Sequence, residues 1–180
     1  MKISLFITIG IVLGYIVKRT VNWLAIDNYI ISSKNFFLEA VGAFMVTWSA
    51  VNLGMEEAVI FSIIAVTLAG ISVIDFHTFE IPLIFIIIGI VTSIAGILLK
   101  VILLSAASWG IFVGALIPLA IMLILWTITK RQGMGYGDIQ LGIVLGAWLG
   151  PMRMALTLFG ASLLSLLVWL GVSLFKGFER

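Results

Sequence analysis

Long apolar runs separated by short polar breaks are the feature that most constrains how this chain can fold. They follow one another along nearly the whole sequence, which is 63% hydrophobic and only 10% charged. A soluble domain of this size is usually about half apolar and about one quarter charged. Because backbone N–H and C=O groups find no water inside a bilayer, runs of this kind are stable there as helices. The sequence therefore predicts an all-α fold, a polytopic membrane helix bundle.

Seven transmembrane or membrane-embedded helices are predicted from these runs. A transmembrane helix needs about twenty residues. We interpret the first run as a retained helix because Lys18-Arg19 stands where a signal-peptide cleavage site would need small residues. The most polar interval, residues 18–35, is expected to lie at the membrane surface. We predict a single membrane domain over residues 1–180. Its segments lie at about 3–17, 36–51, 58–74, 83–99, 109–129, 139–149 and 154–175.

The basic residues predict the orientation of these segments. Lys and Arg are enriched on the cytoplasmic side of membrane proteins. When the segments alternate and Met1 is placed outside, most basic residues fall on the inner side. The segment ends that carry Asp75 and Asp138 then both lie at the cytoplasmic face. The inner group is Lys18, Arg19, Lys34, Lys130, Arg131, Lys176 and Arg180, and the outer group is Lys2, Lys100 and Arg153.

Composition excludes several kinds of site. The chain has no Cys, so it has neither a disulfide framework nor a thiolate metal site or thiol nucleophile. His77 is the one histidine and cannot form a metal site by itself. The glycine run at 133–137 follows a predicted membrane helix and not a strand, which disfavours a phosphate-binding loop. We expect no cofactor, no metal and, with a net charge of only +2, no nucleic-acid partner. Membrane lipid is an expected partner.

A glycine-rich stretch, Gly-Met-Gly-Tyr-Gly-Asp at 133–138, lies between two apolar runs and ends in a carboxylate. Alternating glycines favour a turn with positive φ. The apolar run resumes at Ile139, so Asp138 is predicted at the start of a helix, where free N–H groups and the helix dipole favour a negative charge. Asp75 ends another apolar run. Carboxylates this close to lipid are costly and are often functional.

Two carboxylates at one membrane depth suggest aspartic protease chemistry. One carboxylate would activate water, and the other, protonated, would donate to the scissile carbonyl. Close placement favours this state because two like charges cannot both form easily at short range. Helix-end effects predict that Asp138 is the ionised base and Asp75 the protonated donor. A non-enzymatic membrane scaffold that uses the two acids for ion contact is an open alternative.

Other polar residues have simpler interpretations. We interpret Glu39 as an interfacial residue near a helix start. His77 is interpreted as a solvated loop residue, with a role in tuning Asp75 as the alternative. Glu80 is interpreted as a helix-start acid before Pro82, with contact to a basic substrate segment as the alternative.

The residues around the two aspartates resemble a known family. Gly135-Tyr136-Gly137-Asp138 is a GxGD motif, shared by type IV prepilin peptidases, archaeal preflagellin peptidases and presenilin-like intramembrane proteases. The flanks are similar to those of the prepilin peptidases, and Ile74-Asp75 departs from the Tyr-Asp pair of the presenilin-like enzymes. The resemblance covers about residues 58–175, the predicted peptidase core. The matching flanks are Gly133-Met134, Leu141 and Gly146-Ala147-Trp148-Leu149-Gly150 around Asp138, and Ile81-Pro82 after Asp75.

The resemblance implies an aspartic endopeptidase with Asp75 and Asp138 as its catalytic residues. It would lie in the inner or plasma membrane with its active site near the cytoplasmic face. Its partners would be prepilin-like substrates with a short basic leader and a hydrophobic helix. Long bacterial members carry a cysteine-rich zinc segment between their first two spans and often N-methylate the product. Residues 18–35 hold no Cys, so the resemblance leaves methylation open here. A GxGD protease with another membrane-helix substrate is the alternative within this class.

Overall fold

The chain is all-helical in the computed structural model, which describes residues 3–130 and 135–176. No strand occurs in these two ranges, so the all-α prediction is confirmed. A short 3-10 helix, Ile26–Asn28, follows the first α-helix. The six α-helices are α1 (Ile3–Leu24), α2 (Phe37–Asn52), α3 (Met55–Thr78), α4 (Leu83–Leu98), α5 (Leu104–Thr129) and α6 (Tyr136–Lys176).

Four of these helices, α1, α3, α5 and α6, are long and apolar enough to cross a membrane. α2 and α4 are apolar but have only 16 residues each. The predicted count of seven is slightly too high because one helix, α6, covers both the sixth and the seventh predicted segments. α6 is interrupted at Gly150, where φ is 73° and ψ is 175°. This backbone conformation suits glycine, and Pro151 follows it, so the expected break between the two segments is present.

The helices divide into two compact units, and the first consists of Met1–Leu103 with Tyr136–Gln140. In this unit, Gly10 and Gly14 of α1 face the backbone of α2 so closely that a Cβ at either position would meet backbone atoms. The absence of a side chain at these two positions therefore allows the close packing of α1 against α2. Ser49 of α2 and Ser62 of α3 share a buried hydrogen bond of 2.8 Å. Because late α2 meets early α3, these two helices are antiparallel.

The second unit consists of Leu104–Gly135 with Leu141–Arg180. Its described part contains α5 and most of α6. Gly110 lies against the backbone of Gly146, and Gly114 against that of Gly142. A side chain at any of these positions would separate the two helix backbones. Glycines four residues apart on each helix therefore form the packing line.

Candidate active site

Asp75 lies in the last turn of α3, in the first unit. The helix ends at Thr78, and the backbone N–H of Phe79 donates to the carbonyl oxygen of Asp75 at 2.9 Å. Phe79 adopts a left-handed conformation with φ of 55°, which is a common way to end a helix. Ile74 is buried, whereas the side chain of Asp75 is exposed. Ile74 thus anchors the end of the helix, and Asp75 presents its carboxylate at the surface.

Asp138 lies in the first turn of α6, as predicted, and is half-buried. The preceding Gly137 packs against Ile81, in the connection between α3 and α4. A Cβ at position 137 would come within 3.1 Å of the Cβ of Ile81. Glycine at 137 therefore lets the start of α6 approach the segment that follows Asp75. Pro82 is the N-cap residue of α4 and begins the next helix directly after this contact.

The two predicted catalytic residues meet in the first unit. Asp75 and Asp138 are close enough for an electrostatic interaction between their carboxyl groups. Asp75 comes from a helix C-terminus and Asp138 from a helix N-terminus, as the apolar runs predicted. The two carboxyl groups therefore lie at helix ends of opposite polarity.

The prediction of positive φ at Gly137 is wrong. Gly137 is the second residue of α6 and has no positive φ. The glycine allows close packing against Ile81 and does not supply an unusual backbone conformation. Gly133 and Met134 lie outside the described residues, as does Arg131, and the φ of Gly135 stays a prediction.

The polar connection between α1 and α2 is held by two side chains of α1, which the sequence reasoning missed. Lys18 Nζ donates to the carbonyl oxygens of Ser33 at 3.3 Å and Asn35 at 2.6 Å. One turn later, Asn22 donates through Nδ2 to the Ile31 carbonyl at 3.1 Å and accepts from the Ile31 N–H at 2.7 Å. The signal in the sequence was the four-residue spacing of Lys18 and Asn22, which places both on one face of the helix.

The Lys18 side chain also forms an ion pair with Glu39, 2.9 Å from Oε1. Glu39 is in the first turn of α2, where the sequence placed it near a helix start, and its side chain is buried within the protein. A carboxylate within an apolar run needs a counter-charge, and Lys18 supplies it. The pair fixes α1 and α2 as antiparallel neighbours because late α1 meets early α2.

His77 connects this region to the candidate active site. It lies in the last turn of α3 and not in a loop, because α3 extends one turn beyond the predicted segment. Its ring stacks on Tyr29, with centroids 4.2 Å apart and 21° between the planes. Residues two positions apart in an α-helix are separated by about 200° around the helix axis. The side chains of His77 and Asp75 therefore point to nearly opposite sides of α3. Direct tuning of Asp75 by the imidazole is therefore disfavoured.

Three exposed aromatic residues lie close to the two aspartates in the sequence. Phe76 and Phe79 are 80% and 88% exposed, and Tyr136 is 66% exposed. Large apolar groups at this exposure favour contact with lipid or with an apolar partner. Within residues 3–130 and 135–176, no cluster of three or more His, Cys, Asp and Glu side chains could hold a metal ion.

Comparison with known proteins identifies the family of the chain. The model of the type IV leader peptidase family matches residues 60–170, a stretch that includes both aspartates. A prepilin leader peptidase/N-methyltransferase of Dichelobacter nodosus is 35% identical over 74 residues, which cover 41% of this chain and 26% of that protein. The chain thus matches about a quarter of the length of that curated relative. No solved structure matches the chain. Because the family model covers more than half of the sequence, the chain belongs to the type IV leader peptidase family.

Proposed function

We propose that this protein is a membrane aspartic endopeptidase that removes the short basic leader from prepilin-like proteins. The observation that carries the proposal is the approach of Asp75 and Asp138 from the ends of two helices. Membership of the type IV leader peptidase family supports the substrate class. The charge distribution supports an active site at the cytoplasmic face of the inner or plasma membrane, because Lys18, Arg19 and Lys34 lie towards the same end of the first unit as Asp75.

Each carboxyl group has a distinct part in the reaction. Asp138, ionised at its helix N-terminus, takes a proton from water, and the resulting hydroxide attacks the scissile carbonyl carbon. Asp75, protonated at its helix C-terminus, donates a proton to the carbonyl oxygen. The tetrahedral intermediate collapses when the C–N bond breaks, and the proton held by Asp138 passes to the leaving amine. Asp75 recovers its proton as the new carboxylic acid forms. This cycle needs one acid and one base at the start.

The exposed aromatic rings suit a substrate that is itself apolar. Phe76, Phe79 and Tyr136 would contact the hydrophobic helix of the substrate next to the cleavage site. Their exposure lets a membrane helix approach without first displacing protein side chains. Positioning by such remote contacts is a large part of catalytic efficiency. Glu80, exposed directly after Phe79, lies where it can contact the basic leader.

The test is cleavage of a purified prepilin in detergent or proteoliposomes. Wild-type protein should release the leader, and mass spectrometry should place the cut between the leader and the hydrophobic segment. The product mass also reports whether the new N-terminus is methylated. Cleavage within the hydrophobic helix would instead indicate the alternative GxGD protease. Absence of cleavage by folded protein, with prepilins from several sources, would contradict the proposal.

A further inference from the structure

The connection between α1 and α2 closes a cavity of about 650 Å³ on the first unit. We propose that this cavity binds the headgroup of an anionic phospholipid with a free hydroxyl group, such as phosphatidylglycerol. The site shares no lining residue with the segments that carry the two aspartates, and the proposal does not depend on the proposed peptidase activity. Its polar lining comes from Lys18, Arg19, Asn22 and Glu39.

An apolar groove adjoins this cavity. A second space of about 460 Å³ is lined by Ile11, Val12 and Ala40, and it shares Tyr15, Phe36 and Glu39 with the first. A cavity that contains the charged side chains of Lys18, Arg19 and Glu39 thus adjoins a space lined mainly by apolar residues. Volumes of this size are typical of small-molecule sites. Phospholipids have this same division between a polar headgroup and an acyl chain.

Glu39, which lines both spaces, offers an acceptor for a hydroxyl group. Lys18 Nζ donates three hydrogen bonds, to the carbonyl oxygens of Ser33 and Asn35 and to Glu39 Oε1. The second carboxylate oxygen, Glu39 Oε2, is buried and has no hydrogen-bond partner within the described residues. A buried acceptor without a donor is costly. The glycerol hydroxyl of a headgroup would supply the donor while Lys18 keeps the carboxylate neutralised.

Arg19 offers a binding group for the phosphate. It is exposed, lines the same cavity, and forms no ion pair within the described part of the chain. A guanidinium binds phosphate through charge-assisted hydrogen bonds. Because the charges of Lys18 and Glu39 cancel, Arg19 gives the cavity lining one net positive charge. Basic pockets between helices at the cytoplasmic side are known binding sites for anionic lipid headgroups.

The position of the cavity favours lipid over the substrate leader. Its lining residues belong to α1, α2 and their connection, within the described ranges. None comes from α3, α4 or Tyr136–Gln140, which carry and surround Asp75 and Asp138. The lining also carries one net positive charge, which disfavours a basic leader and favours an anionic headgroup.

The test is native mass spectrometry of the full chain, delipidated in detergent and titrated with defined lipids. Wild-type protein should bind phosphatidylglycerol at least about tenfold more tightly than phosphatidylcholine. Arg19→Gln should lose this preference by roughly tenfold, as expected for loss of a charge-assisted contact. Lys34→Gln is the matched control, because Lys34 is an exposed cation of the same connection that does not line the cavity. It should bind as wild type does.

Two further measurements distinguish the contribution of the lipid headgroup from that of the acyl chain. Phosphatidic acid lacks the glycerol hydroxyl and should bind more weakly than phosphatidylglycerol. Ala40→Trp fills the apolar groove and should weaken phosphatidylglycerol binding, and free glycerophosphoglycerol should not compete. Thermal unfolding confirms that each variant is folded. Equal losses in Arg19→Gln and Lys34→Gln, or displacement of the lipid by a soluble basic leader peptide, would overturn the proposal.

Discussion

The ring of Tyr29 stacks on the ring of His77, with centroids 4.2 Å apart. This contact joins the connection between α1 and α2 to the last turn of α3, two residues beyond Asp75. Burial raises the pKa of Tyr29 above its ordinary value, so the phenol stays neutral in the physiological range. Lys18 and Asn22 hold the connection on α1, and Tyr29 supports the end of α3. We therefore expect the stack to help position the backbone of Asp75 without touching its carboxyl group.

Loss of this stack should slow cleavage while leaving substrate binding unchanged. We expect Tyr29→Ala to lower kcat roughly three- to tenfold with little change in KM, because small displacements of a catalytic group are costly. Tyr29→Phe keeps the ring and should retain wild-type kcat. Steady-state cleavage kinetics measures both values. If Tyr29→Phe is as slow as Tyr29→Ala, the hydroxyl and not the stack is responsible.

Replacement of either aspartate by asparagine should abolish cleavage. Asp75→Asn cannot donate a carboxylic proton, and Asp138→Asn cannot accept one from water. Each variant should keep its thermal unfolding temperature because the amide has nearly the same shape. The matched control is Asp27→Asn, in the 3-10 helix, which should cleave as wild type does. Turnover near the wild-type rate in either active-site variant would contradict the aspartic mechanism.

The two carboxyl groups should differ in protonation. In Asp75→Asn, Asp138 should show the infrared band of an ionised carboxylate at neutral pH. In Asp138→Asn, Asp75 should keep more of the carboxylic acid band. Helix-end effects are worth roughly 0.3–1 kcal/mol each and act in opposite directions here. Isotope-labelled aspartate on an Asp27→Asn background leaves one labelled group in each variant. The opposite pattern would reverse the two roles, although the intact pair titrates as a unit.

A side chain at position 137 should displace Asp138. Gly137→Val would force the start of α6 away from Ile81, since even a Cβ comes within 3.1 Å. We expect cleavage to fall roughly a hundredfold. Gly160→Val is the control in the same helix, because no atom lies within 4 Å of a Cβ there. Equal activity of the two variants, measured in the same prepilin assay, would show that the contact with Ile81 does not position Asp138.

Removal of Lys18 should destabilise the protein. Lys18→Met leaves Glu39 buried without its counter-charge, and such losses cost about 3–5 kcal/mol. Thermal unfolding in detergent should show a large decrease in melting temperature. Lys18→Met combined with Glu39→Leu should recover much of it, since a buried ion pair can be replaced by apolar side chains. A double variant less stable than Lys18→Met would mean that the hydrogen bonds to Ser33 and Asn35 matter more than the ion pair.

Local features of the site could be predicted from the sequence. Asp75 at the end of one apolar run and Asp138 at the start of another follow from patterns within about ten residues, because helix limits depend on neighbouring residues and caps. The break between the last two segments follows from Gly150-Pro151 for the same reason. The motifs around both aspartates also pointed to the family. The extent of the peptidase core, 58–175, stays a prediction.

Contacts between distant parts of the chain were decided only by the tertiary structure. Lys18 and Glu39 each looked like a residue at the membrane surface, and only helix packing showed that they neutralise each other in the interior. The role of Gly137 changed in the same way, from a turn with positive φ to a helical residue packed against Ile81. A single apolar run records which side is buried but not which helix covers it, because many partners satisfy the same apolar face. Asp75 and Asp138 are 63 residues apart in the sequence. Their electrostatic interaction therefore depends on how the helices pack.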